Sequence, residues 1–142
     1  MSVDTYGKRI DAGNFQPGVR PISGTSLTKA FAKMLQGGLS RAYGLVAHAG
    51  GGQASALQMT TTMARVETVA TGADSLALPK AIAGSVAIVT NAGANSMNVF
   101  AKNGTTDVIN ALANNTAFAV AAGKSCLFLC SKTGQWDTLL TA

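Results

Sequence analysis

Charge is scarce in this 142-residue chain: Asp, Glu, Lys and Arg together make up 12% of it, about half the share of an average soluble domain. The six acids are Asp4, Asp11, Glu67, Asp74, Asp107 and Asp137. None lies in a calcium loop or in a motif that pairs carboxylates for glycoside hydrolysis. The one histidine, His48, sits in AHAGGG with nothing in sequence to orient it. With no G-x-S-x-G elbow either, a Ser–His nucleophile is not written here, and His48 is read as solvent-facing or locally bonded. The two cysteines, Cys126 and Cys130, fall in SCLFLCS. Four residues along a strand span about 13 Å, beyond disulfide reach. No zinc-ligand spacing surrounds them. They are read as two small buried hydrophobes on the face of Phe128. Gly123-Lys124-Ser125 lacks the glycine a phosphate loop needs five positions earlier, where Phe118 stands, and Gly50-Gly51-Gly52-Gln53 lacks G-x-G-x-x-G spacing. No apolar run is long enough for a membrane helix, and the opening MSVDTYGKRIDAG has no h-region of a secretory signal. The expectation is a protein without catalytic, cofactor or metal residues, with no small-molecule substrate and no membrane partner, made in the cytoplasm.

What is present is small and apolar. Hydrophobic residues make up 47% of the chain, with alanine dominant and 16 glycines. A surface rich in Ala, Thr, Ser and Asn and poor in charge suggests a surface that something else covers. The net charge of +5 is uneven: residues 1–41 hold six bases and two acids, the remaining residues five and four. A basic N-terminal arm suits nucleic acid, an anionic membrane or an acidic protein surface. The Tyr6-Gly7-Lys8-Arg9 patch stands alone, without RNP, KH or helix-turn-helix signatures, so nucleic acid is disfavoured.

Three segments follow. Residues 1–24 read as an extended arm, broken by Gly7, Gly13, Pro17, Gly18, Pro21 and Gly24. The prolines push Gln16 and Arg20 toward extended conformations, and isolated large side chains suit docking on a partner. Residues 25–53 read as a short helix over 25–36 and a glycine-rich connector. Leu27, Phe31, Met34 and Leu35 form one stripe, Thr25 or Ser26 caps the start, and Gly37 ends the helix. Residues 54–142 read as a β body of about eight strands, with turn signals at Gly72, Gly84, Gly93, Gly104, Asn115, Gly123 and Gly134. Asn103-Gly104 predicts a type I′ hairpin between SMNVFAK and TTDVINAL. GSVAIVTN, TAFAVAA, SCLFLCS and QWDTLLT are the strongest strands. Trp136, Phe100 and Phe128 are expected to anchor either the core or a subunit interface. The fold class is mainly β: an antiparallel sandwich or jelly-roll-like body with an extended N-terminal arm and one short helix.

The stretch TVATGADSLALPKAIAGSVAIVTNAGANSMNVFAKNGTTDVIN, with the closing GKSCLFLCSKTGQWDTLL, carries a resemblance. Its order is a Leu-Pro segment, a strand ending Asn-x-Gly, Val-Phe before an Asn-Gly turn, a Gly-Lys turn, and a Gly-x-Trp strand. It resembles the body of bacteriophage head decoration (cement) proteins, and it is similar to modules of phage fibres. The resemblance implies a virion protein that binds the outer capsid surface as a homotrimer and stabilises the shell. Its partner would be the major capsid protein lattice. Tyr6, Lys8, Arg9, Phe15 and Arg20 of the arm are the expected capsid-binding residues. The alternative is a fibre module that binds a receptor or glycan.

Overall fold

Strands here are made by two-residue alternation. In Val86–Asn91 and Ser125–Lys132, alternate residues (Ala87, Val89 and Asn91; Cys126, Phe128 and Cys130) point inward and are buried. The computed structural model describes residues 2–3, 9–10 and 39–141, and the chain divides into two compact units, Met1–Gly38 and Leu39–Ala142. In the first unit, β1 (Ser2–Val3) pairs antiparallel with β2 (Arg9–Ile10), Val3 opposite Arg9. The rest of the expected arm and the predicted helix over 25–36 lie outside the described residues, and among the described residues there is no helix.

The second unit holds two sheets. The larger has the order β3-β5-β7-β11-β12-β9, formed by β3 (Arg41–Val46), β5 (Met63–Thr68), β7 (Val86–Asn91), β11 (Ser125–Lys132), β12 (Gln135–Leu140) and β9 (Val108–Ile109). The smaller has the order β10-β8-β6-β4, from β10 (Phe118–Val120), β8 (Met97–Phe100), β6 (Ser75–Ala77) and β4 (Leu57–Gln58). From β3 to β10 the chain alternates between the sheets at every strand. As far as β8, each return lays the new strand parallel to the one before: β3, β5 and β7 run parallel, as do β4, β6 and β8. A parallel pair needs a crossover, and here the crossover is a strand of the opposite sheet. The result is a short solenoid-like coil, closed by strands that pair antiparallel: β10 on β8, β11 on β7, and β12 on β11.

This differs from the antiparallel pairing expected of the body. Glycine signals every 8–12 residues mark corners of a coil as readily as hairpin turns. The Asn103-Gly104 turn shows the difference. It joins β8 of the smaller sheet to β9 of the larger, so it is not a hairpin. Only Gly104 has a positive φ there, at 75°, whereas a type I′ turn requires two such residues. The one tight hairpin of the larger sheet is β11–β12, turned at Thr133-Gly134 with Lys132 opposite Gln135. The body also starts earlier than residue 54. β3 lies within the stretch read as a connector and pairs with β5, and Gln53 is buried with its Nε2 donating to the Ala101 carbonyl at 3.0 Å.

One apolar cluster fills the space between the sheets, with Val66, Val89, Phe128 and Trp136 from the larger and Leu76, Met97, Val99 and Val120 from the smaller. Phe118 meets Phe128 across the layers edge to face, with ring centroids 5.8 Å apart at 81°. Cys126 and Cys130 are free thiols in this core.

Candidate interaction surface

The larger sheet turns its other face outward, and that face is unusually apolar. Cross-strand register arranges it in rows. Arg41, Met63, Ile88, Leu127 and Leu139 lie side by side across β3, β5, β7, β11 and β12. Val86, Leu129 and Asp137 form the next row on one side. Arg65, Thr90 and Ser125 form the row on the other, where the Thr90 and Ser125 hydroxyls hydrogen-bond at 2.9 Å. Leu139 is 66% exposed, Leu129 42% and Met63 36%. Apolar residues scattered singly on a surface are ordinary, but here Met63, Ile88, Leu127 and Leu139 are contiguous across four strands.

The stripe has different ends. At the β3 end a groove of about 210 Å³ is lined by Arg41, Tyr43, Met63, Arg65, Ile88 and Thr90. Tyr43 stands 77% exposed above it. Arg65 makes a solvent-exposed ion pair with Glu67 at 3.4 Å, and Arg41 makes none among the described residues. At the β12 end stands Asp137, which accepts hydrogen bonds from the Ser131 hydroxyl and from Gln135 Nε2. Those two bonds, Ser131's first, hold its carboxyl below the ordinary aspartate range, against a small opposing effect of burial.

The body's remaining polar side chains hold the body together. Buried Asp74 accepts from the Thr71 hydroxyl at 2.7 Å and from the Ala70 and Thr71 amides, closing the loop after β5. The Thr71 hydroxyl is the main cause of its lowered pKa. Asp107 accepts from the Ala81 amide at 2.8 Å. Asn91, fully buried, donates to the carbonyls of Asn95 and Val120, both at 2.8 Å, and accepts from the Gly93 amide. Burial pushes the Cys126 thiol up to about 11 and raises Cys130 as well, so both stay protonated and unreactive. His48 is exposed, its Nδ1 3.4 Å from the Gly50 carbonyl. Among the described residues no group of three or more His, Cys, Asp or Glu could hold a metal ion. Trp136 Nε1 is buried without a hydrogen-bond partner, inside the core rather than facing an opening.

The residues singled out from sequence fall in two groups. Trp136, Phe128 and Phe100 are buried in the body's own core. Tyr6, Lys8, Phe15 and Arg20 lie outside the described residues, and of Arg9 only its backbone place in β2 is described. Sequence reasoning missed the outward face, although a signal was present. SCLFLCS is apolar at both parities, with Cys126, Phe128 and Cys130 on one face and Leu127 and Leu129 on the other. VAIVT repeats the pattern. A strand apolar on both faces expects cover on both.

No protein-family model matches the chain, and no curated protein or solved structure shows significant similarity to it. The likeness to phage decoration proteins therefore rests on the residues quoted for it alone.

Proposed function

We propose that this chain is a structural virion protein: a decoration, or cement, protein that binds the outside of a phage capsid as a homotrimer and stabilises the shell. The observation that carries the reading is the outward face of the larger sheet. A contiguous apolar stripe on a chain with so little charge is a surface built to be covered by protein. The body's buried polar side chains, Asp74, Asp107 and Asn91, are engaged in holding loops and strands, which supports a binding role over a chemical one. The basic N-terminal segment adds electrostatic attraction to an acidic coat surface, which speeds encounter more than it adds affinity. The resemblance supplies the shell as the partner, and with it a sandwich-like body of two facing sheets. Binding only to the assembled shell would stabilise that shell by mass action. No clustered aromatics and acids stand on the described loops as a glycan site would require, which disfavours the fibre alternative.

The test is co-sedimentation of the full-length chain with purified heads of the virus that encodes it. Saturable binding at a fixed number of copies per head, with a raised thermal disruption temperature, is the expected result. Heads that bind none of the chain, before or after expansion, would reject the reading.

A further inference from the structure

The outward stripe is not uniform, and its asymmetry narrows what covers it. One end carries two guanidinium groups, Arg41 and Arg65, on strands at the β3 edge. The other end carries the Asp137 carboxylate on β12. Between them lie Met63, Ile88, Leu127 and Leu139 in one row, with Val86 and Leu129 beside it. The described acids nearest the basic end do not neutralise it. Glu67 meets Arg65 only in an exposed pair, and Arg41 has no carboxylate among the described residues. A foreign partner would need its own acid placed for Arg41 and its own base placed for Asp137. A second copy of this chain already has both, on opposite ends of the same apolar strip.

We infer that this face joins copies of the chain to one another, the Arg41 end of one copy lying against the Asp137 end of the next. The inference rests on the self-associating reading above and deepens it by naming one surface through which copies meet; a face-to-face contact of this kind joins two copies about a two-fold axis, so the third copy of a trimer needs a second contact. Size fits a modest interface. Four inter-strand spacings by six residues give a face of about 20 Å by 20 Å. Two such faces in contact bury on the order of 1,000 Å², the lower end for a specific complex. Association is therefore concentration-dependent, with the apolar row as its centre and the charges setting its direction. An offset that brought like ends together would set Arg41 and Arg65 against their own copies, and like-charge contact at an interface disfavours that alignment. The apolar core and charged rim are the usual division of labour in such contacts.

Sedimentation equilibrium of the full chain and its variants tests this. Leu139→Glu and Met63→Glu each place a charge in the apolar row at a position that is exposed in the single chain, so the body tolerates them. Each is expected to weaken self-association by at least about 30-fold, the loss a central contact residue typically carries. Emission of the sole, buried Trp136 should stay unchanged. Arg41→Asp and Asp137→Arg should each weaken association, and the double variant should recover most of it. Those two positions lie at opposite ends of the sheet, so a merely structural loss at one would not be repaired at the other. Associated wild type with undiminished association in the Leu139→Glu and Met63→Glu variants would overturn the assignment of this face while leaving self-association intact. Wild type that stays a 14.3 kDa monomer at every concentration would overturn both. Failure to bind heads by a chain that does associate through this face would count against the capsid reading alone.

Discussion

Asn91→Asp separates the buried polar network from ordinary packing. The substitution keeps size and shape and replaces the amide NH₂ with oxygen. In the native body that NH₂ donates to the Asn95 and Val120 carbonyls, each at 2.8 Å, at a position with no solvent exposure. A carboxylate there would face two carbonyl oxygens with no proton between them. The introduced group must therefore be protonated for the body to fold. Holding a carboxyl of ordinary pKa about 3.9 protonated at pH 7 costs about 4 kcal/mol, at 1.36 kcal/mol per pH unit. A protonated carboxyl has one O–H for two acceptors, so one carbonyl stays unpaired, for about 1 kcal/mol more. The sign follows: the folded pKa is raised, so the penalty is absent below about pH 4 and grows as pH rises above it. Relative to wild type at the same pH, the variant should lose about 5 kcal/mol at pH 7 and about 1 kcal/mol at pH 3. At roughly 3 °C per kcal/mol, that is a drop in melting temperature of about 15 °C against about 3 °C. Thermal unfolding followed by Trp136 emission at both pH values reads it. Equal losses at pH 3 and pH 7 would refute the buried double donation.

Gly93→Ala should cost about 1–3 kcal/mol by crowding, since a Cβ there would lie 2.7 Å from the Val69 amide nitrogen and 2.8 Å from its side chain; Gly72→Ala, whose nearest neighbour is the Ser96 carbonyl at 3.9 Å, should be neutral within about 0.5 kcal/mol in the same urea titrations. Cys126 and Cys130 should resist a thiol-specific reagent at pH 8 in the folded protein and both react in denaturant, because both are buried; native labelling of either would contradict their place in the core. Asp74 has a lowered pKa in the fold, so it contributes stability that is present above the unfolded pKa near 4 and lost as pH falls through the folded value. Asp74→Asn should therefore lower the melting temperature at pH 7 and flatten its decline toward pH 3.

Alternation made β7, β10, β11 and β12 legible from sequence, because a period of two with alanine, valine and cysteine on one parity needs only local information. The inward places of Cys126 and Phe128 followed from the same parity. Pairing was not legible. Arg41 lies beside Met63 and Met63 beside Ile88, while Leu57 lies beside Leu76 and Leu76 beside Val99. These offsets vary between 19 and 25 residues, and the coil leaves no repeating residue pattern for the eye to catch. Asn103-Gly104 misled for a related reason: the same dipeptide serves a corner between sheets when only its glycine takes a positive φ. The groove at Arg41, Tyr43 and Arg65 could not be read locally either, since it is assembled by a parallel pairing across some twenty residues. The outward stripe was half visible, in strands apolar at both parities.

The solution mass of the full-length chain by light scattering after size exclusion, over a range of loading concentrations, bears most directly on the central claim that this is a self-associating shell component. The account predicts a mass that rises with concentration toward about 43 kDa, three copies of the 14.3 kDa chain. A mass that holds at 14.3 kDa throughout would contradict it.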